Sequence, residues 1–419
     1  MGAATLDQTA REAIGSACAE VRDAGESDHV DGVRPVLVAR PADTDQVSEV
    51  MRAATAHDLT VVPRGRWTKL SWGLPPSSAE VVLDVSALDQ VLDHAAGDLI
   101  AVTQAGARLS DVQEVVGRGG QRLALDETVP GSTIGGILGT NTSGPRRVTT
   151  GTARDLMIGV TVVRADGVVA KAGGKVVKNV AGYDVAKLVT GAYGTLGLVT
   201  EAAFRLHPIP PASAYVSVRL PDAASAYQAV QRALHAQFVP AAIELDRPEP
   251  GGPVEVAVLV EGTEAGVTAR AAQAVETLGD GASRTDRPDW WGTLPAGSDR
   301  SVLVKATTEL TGTGRLLDGV DRAAAAAGTT AAVRGSGGVG IVHAALPGTD
   351  PAAVAAFVKA LRDAAPAWRG SVVVLAAPPP VRSEVDSWGP VPGLDLMRRV
   401  KERFDPDALL APGRFVGGI

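Results

Sequence analysis

At 419 residues and 45% hydrophobic content, the chain is long enough to build one large domain or two ordinary ones around full cores. A net charge of -7 argues against a nucleic-acid binder that relies on an overall positive field, and the single cysteine, Cys18, excludes an intrachain disulfide or a cysteine-built iron–sulfur centre. No apolar run is long enough to span a bilayer and the first residues lack the pattern of an export signal, so a cytoplasmic protein is expected, with any membrane association made through a partner.

Residues 1–29 are alanine-rich and polar and read as a peripheral segment with no chemistry. Val36, Leu37 and Val38 then form a strand, and Asp43 with Gln46 offers a capping box for a helix whose buried stripe is Val47, Val50, Met51 and Ala54. Thr60, Val61 and Val62 return as a strand that delivers the chain into a basic turn, 64–71. At such an element end, amides and the basic side chains of the turn, Arg64, Arg66 and Lys69, can hold a diphosphate, or Arg64 and Arg66 are simply solvated. Strands follow near 80–85 and 99–103. Ser110 and Gln113 are placed to cap a helix that Gly117, Gly119 and Gly120 end.

The stretch 130–147 is unusually rich in glycine, hydroxyls and amides, a composition suited to backbone passing close to a flat polar ligand. Neither a dinucleotide-binding GxGxxG between strand and helix nor a GxxxxGK phosphate loop is present, which argues against nicotinamide and nucleoside-triphosphate sites. Arg154 and Asp155 are either a substrate clamp or a structural ion pair. In 173–184, Lys175 or Lys178 can neutralise a carboxylate or phosphate and Tyr183 can stack or donate a hydrogen bond; Val185, Leu188 and Val189 mark the buried side of a short helix. A strand beyond Gly194 and Gly197 ends near Leu206.

The proline cluster at 208–211 marks a hinge, after which strands and helices alternate as expected of a two-layer alpha/beta cap with an internal repeat. One of Trp290 and Trp291 is expected to be buried, the competing reading being an exposed pair that contacts a partner. Gly335 to Gly340 reads as an inter-strand connection, and His343 as a core or interface histidine. No His/Asp/Glu group has metal-ligand spacing. Arg414, near the terminus, is read first as half of a structural salt bridge and second as a carboxylate ligand.

The ordered motifs at 64–68, 130–146, 151–155 and 191–201 resemble the FAD-binding domain of the vanillyl-alcohol oxidase/p-cresol methylhydroxylase (PCMH) family over residues 30–210. More narrowly, 173–184 together with 194–197 is similar to the GlcE-type FAD-binding subunit of glycolate oxidase. The resemblance implies an α/β plus α+β architecture. A peripheral segment, 1–29, precedes a PCMH-type FAD domain, 30–210. A ferredoxin-like or related two-layer cap, 211–380, follows, and a final segment, 381–419, returns toward the FAD domain. It implies FAD contacts from Pro63, Arg64, Gly65, Arg66, Trp67, Thr68, Leu70 and Ser71 in the first loop. Further contacts come from Pro130, Gly131, Ser132, Thr133, Gly135, Gly136, Thr140, Asn141, Ser143, Gly144 and Arg146, then Gly151 and Arg154, and finally Gly194, Gly197 and Val199.

Trp67 stands where the family often has glycine. The first loop lacks a histidine for a covalent flavin link, so noncovalent FAD is implied. The family's histidine-rich cap motif is also missing, which points to an FAD-binding subunit of a glycolate oxidase complex. Its partners would be a related flavoprotein and an iron–sulfur electron-transfer subunit, its substrate glycolate or another small 2-hydroxy acid, and its site candidates Lys178, Tyr183 and Arg414. The alternatives are a free-standing 2-hydroxy-acid oxidoreductase and a noncatalytic binding protein.

Overall fold

A computed structural model of the chain describes residues 6–175, 185–295 and 301–419. They form two compact units: Met1–Ser143, Gly151–Ile209 and Val391–Ile419 make the first, and Gly144–Thr150 with Pro210–Pro390 make the second. The short segment Gly144–Thr150, expected within the FAD domain, thus groups with the second unit, where Thr149 donates to the Ala241 carbonyl and Arg146 pairs with Glu261.

The first unit contains two sheets. In the four-stranded one the order is Glu20–Asp23, Leu37–Arg40, Val81–Asp84, Val61–Arg64. The last three strands run parallel, and their unbroken Val/Leu runs suit burial on both faces. Helix Thr44–Ala56 makes the crossover and buries Val47, Val50, Met51 and Ala54 as its spacing predicts. Asp43 caps it through Gln46 N at 2.8 Å; Gln46 Oε1, however, accepts from Ala42 N instead of closing the box. The second sheet is antiparallel, in the order Val91–Ala95, Ile100–Gln104, Leu198–Arg205, Met157–Val163, Val169–Gly173.

Several local readings are corrected. The N-terminal segment is integral: Ile14 in helix Gln8–Ala17 is fully buried, and Asp28 is 1% exposed. Helix Leu109–Gly117 has no side-chain cap, because Arg108 stands at its N-cap and places Ser110 and Gln113 inside the helix, where Gln113 donates to the Leu123 and Leu125 carbonyls. Arg154 and Asp155 do not form an ion pair; Asp155 closes a capping box with Thr152, and Arg154 reaches the Lys187 carbonyl. In helix Val185–Val189 the inward residues are Ala186 and Val189, while Leu188 is exposed.

The second unit is one eight-stranded antiparallel sheet with helices Ala223–His235, Glu264–Leu278, Thr313–Ala327 and Pro351–Ala364. Two strands missed in the sequence, Ser283–Thr285 and Ala332–Ser336, complete the internal repeat. Each half is strand, helix, strand, strand, helix, strand with spatial order 4-1-3-2, the split βαβ plan. The halves join edge to edge through their second strands, Ala242–Arg247 and Ala332–Ser336. The two-layer ferredoxin-like architecture is therefore present twice. Trp291 is 1% exposed and meets Tyr215 edge-on, whereas Trp290 donates to Glu255.

A polar row crosses this sheet. Glu255, Asp246, Arg334, His343 and Lys305 are successive cross-strand partners and so share one face. Arg334 donates to Asp246 at 2.6 Å. Burial first, then the charges of Lys305 and Arg147, push the His343 imidazole down to about 3. A folded value below the unfolded one, about 6.5, means that the unfolded chain binds more protons between them. Stability is therefore lost as pH falls through that window. His343→Asn should reduce the drop in melting temperature between pH 7 and pH 5 measured by calorimetry. An unchanged drop would show that His343 is not its source.

Among the described residues no helix is long and apolar enough to cross a membrane, and no group of three or more His, Cys, Asp or Glu is placed to hold a metal.

Candidate functional site

A cavity in the first unit encloses about 890 Å³ of space, part of it open to solvent. Three stretches wall it: the loop from Pro63 to Leu70, the glycine segment with Thr133, Gly135, Gly136, Gly139 and Thr140, and the run Tyr193, Gly194, Gly197, Leu198 and Val199. Val85, Val189 and Arg414 complete it.

Local chemistry explains why these stretches can meet. The middle of the glycine segment is a helix, Ile134–Thr140, capped by Thr133 through Gly136 N at 3.2 Å. A Cβ on Gly65 would lie 2.6 Å from Thr133 Oγ1, so the basic loop approaches the helix cap only because residue 65 has no side chain. Gly194 has φ +79°, and a Cβ there would stand 2.6 Å from Pro63 Cγ. Trp67 adopts φ +67°, a region that favours glycine, and the Arg64 guanidinium stacks 3.8 Å from its ring centroid.

The charged groups take roles different from those expected. Arg64 lines the cavity, but its guanidinium is neutralised by Asp28 at 2.8 Å and Asp84 at 3.0 Å, so it is a buried structural tie rather than a solvated or free diphosphate cation. Arg66 lines the cavity and is exposed. Arg414, 4% exposed, does not make the salt bridge expected of it: Nη2 donates to the carbonyls of Leu70 and Trp72 at 2.7 and 2.8 Å, and Nη1 is buried with no hydrogen-bond partner. Burial pulls its pKa down to about 10, which leaves it cationic at neutral pH. Lys69, 6% exposed, donates to Ser132 Oγ at 2.6 Å, and burial lowers it to about 8.

Of the residues singled out in the sequence, the cavity gathers Pro63, Arg64, Gly65, Arg66, Trp67, Thr68, Leu70, Thr133, Gly135, Gly136, Thr140, Gly194, Gly197, Val199 and Arg414. Ser132 stands behind the wall, bonded to Lys69. Ser71, Pro130, Gly131, Asn141, Ser143, Gly151 and Arg154 do not line it, and Gly144 and Arg146 belong to the second unit. Lys178 and Tyr183 lie outside the described residues. Lys69, Gly139 and Leu198 also line the cavity and fall within the three loops read as cofactor contacts, whereas sequence reasoning missed Val85, Val189 and Tyr193.

The arrangement fits a flavin dinucleotide. Side-chain-free positions permit close approach by a flat ring system, threonine hydroxyls and backbone amides can bond it, and buried cations without carboxylate partners suit its anionic part.

Comparison with known proteins agrees. Residues 35–173 match the FAD binding domain model, and 386–415 match the C-terminal domain of FAD linked oxidases. The structure of p-cresol methylhydroxylase with substrate bound superposes with TM-score 0.73 at 16% identity, covering 97% of this chain and 96% of that one, which is a likeness of fold. The chain therefore carries an FAD-binding domain within a fold like that of p-cresol methylhydroxylase, together with an alpha/beta cap.

In sequence it is related to glycolate oxidase subunit GlcD of Bacillus subtilis, 35% identical over 216 residues, 51% of this chain and 46% of the relative. A D-2-hydroxyglutarate dehydrogenase of Xanthomonas citri pv. viticola is 36% identical over 189 residues, 45% of this chain and 40% of the relative. The chain thus matches less than half the length of these two relatives. An uncharacterised FAD-linked oxidoreductase of Mycobacterium tuberculosis aligns over 92% of this chain and 91% of its own length at 28% identity.

Proposed function

We propose that this chain is an FAD-dependent 2-hydroxy-acid oxidoreductase that holds FAD noncovalently and oxidises its substrate by itself. The single observation that carries the reading is the first-unit cavity, where glycine-only approaches and buried cations stand in the FAD-binding domain. The similarity to GlcD and to a D-2-hydroxyglutarate dehydrogenase supports a small 2-hydroxy acid as the substrate class. The lining residues of the cavity include no histidine or cysteine to form a covalent flavin link.

Bound FAD supplies the hydride acceptor for oxidation of a hydroxyl-bearing carbon. The protein must orient the substrate carboxylate with a cation, accept the hydroxyl proton, and keep water from the reacting atoms. Arg414 is suited to orienting the carboxylate, since the carbonyls of Leu70 and Trp72 fix its guanidinium through Nη2 and leave Nη1 as a buried donor. Lys178 and Tyr183 remain proposals for the proton acceptor and a further substrate contact.

The test is spectroscopic. Purified protein should show flavin bands, release flavin on acid precipitation, and lose its oxidised bands when glycolate, D-lactate or D-2-hydroxyglutarate is added anaerobically. Bound flavin that none of these acids reduces would favour a second reading, to which the GlcD relationship and the GlcE-type resemblance also lend support. In that reading the chain is a subunit of a glycolate oxidase-like complex, working with a related flavoprotein and an iron–sulfur subunit. Protein that takes up no FAD would overturn both.

A further inference from the structure

We infer that Lys305 and His343, with Arg147 beside them, form a binding site for a small carboxylate anion on the second unit's sheet. All three residues belong to that unit, so the site stands or falls apart from the flavin reading. Lys305 and His343 lie directly across from each other on strands Ser301–Thr307 and Ile341–Pro347. Side chains alternate along a strand. Val304 and Ala306, with Val342 and Ala344, enter the core beneath the helices, which turns Lys305 and His343 to the opposite face. The internal repeat supplies a control. In the first half, the equivalent strands Ala212–Leu220 and Val254–Gly262 turn Tyr215, Ala257 and Leu259 to that face, where buried Trp291 seals them in an apolar cluster. The second half carries an ammonium and an imidazole there instead.

The rest of the polar row is satisfied from within: Glu255 accepts from Trp290, and Arg334 pairs with Asp246. Lys305 is not. Among the described residues its ammonium has neither a hydrogen-bond acceptor nor a paired carboxylate, and the charges that act on it and on His343 are all positive, Arg147 on both and Lys305 on the imidazole. Burial first, then Arg147, pushes Lys305 down to about 8, which leaves it largely cationic at neutral pH. Both side chains of the pair are half-buried. Like charges gathered in such a place are costly until an anion arrives. The pair also fits the shape of a carboxylate. Cross-strand neighbours stand about 4.5–5.5 Å apart at Cβ, an ammonium donates up to three hydrogen bonds and a neutral imidazole one, so each can take one oxygen of the same carboxylate.

The experiment uses the full chain with oxalate as the probe and two readouts confined to the site. Acetic anhydride labelling, read by mass spectrometry, reports on Lys305, with exposed Lys359 as the internal reference. Saturating oxalate should protect Lys305 and leave Lys359 labelled as before. The imidazole resonances of His343, assigned through His343→Asn, should move as oxalate is added. In Lys305→Met the midpoint of that titration should rise about 10- to 100-fold, as expected for loss of one charge-assisted contact. Lys305→Arg should recover part of the affinity. Equal labelling of Lys305 with and without oxalate would overturn the site, and so would a midpoint that Lys305→Met leaves unchanged. Protection by inorganic phosphate at lower concentration than by oxalate would overturn the carboxylate assignment. Circular dichroism and the melting temperature show whether Lys305→Met folds; if it does not, the labelling of the unaltered protein and the titration of Lys305→Arg decide.

Discussion

Arg64→Met should destabilise the protein by about 3–5 kcal/mol and strip it of flavin. Removing one member of a buried charge group leaves the others uncompensated, and that penalty, more than the lost attraction, sets the size of the effect. Arg64 is the hub of such a group: its guanidinium joins Asp28, 1% exposed, from the N-terminal segment and Asp84 from the end of the central strand Val81–Asp84. Arg22 also binds Asp28, at 2.6 Å, and keeps part of the compensation in the variant, whereas Asp84 retains only its contact with Ser86 N. The stack on Trp67 disappears as well, and with it the support of a strained loop residue.

Urea unfolding gives the stability change, and absorbance of the purified variant gives flavin occupancy. Arg66→Met is the control, since Arg66 is exposed in the same loop and should shift stability by less than about 0.5 kcal/mol. Similar stability in both variants would refute the hub. The pH dependence has a definite sign. Arg22 first, and then Arg64, hold the Asp28 carboxyl well below the usual carboxylate range. Its stabilising effect is therefore present above the unfolded value, about 3.9, and is lost as pH falls through the depressed folded value.

Lys401→Met should be comparably damaging. Lys401, 7% exposed on helix Leu394–Phe404, donates to Asp405 at 2.6 Å and to the carbonyls of Thr195 and Leu410 at 2.8 and 2.9 Å. Asp405, 1% exposed, in turn accepts from the amides of Leu409 and Leu410. This knot ties the C-terminal segment to the turn before Leu198, and so to the cavity wall at Gly194 and Gly197. The variant buries a carboxylate without its cation, at a cost of about 3–5 kcal/mol, and should weaken FAD binding through Thr195. Adding Asp405→Asn should recover part of the loss, because the uncompensated charge is then gone. Strict additivity of the two substitutions in urea unfolding would rule out the coupling.

The sequence by itself determined much that is local. Continuous Val/Leu runs produced the strands around residues 37–40, 61–64 and 81–84, and helical spacing located Val47, Val50, Met51 and Ala54 on one face. Glycine and hydroxyl density marked two of the three cavity walls. Where two local acceptors compete, sequence alone was weaker. Gln113 was equally able to cap its helix or to bind a neighbouring loop, and packing chose the loop. Leu188 satisfied the helical period yet stands exposed, because Ala186 and Val189 already fill the inward side.

Tertiary structure alone decided what each charge is for. Burial and distant partners set the free energy of an ionised group, and neither can be read from its sequence neighbours. Arg64 looked like a ligand cation but meets Asp28, 36 residues before it, and Asp84, 20 residues after it. Arg414 looked like half of an ion pair but is anchored on carbonyls more than 340 residues away. Lys69 was one basic side chain of a turn, and only folding buried it with Ser132 as its hydrogen-bond partner and no ion-paired carboxylate among the described residues.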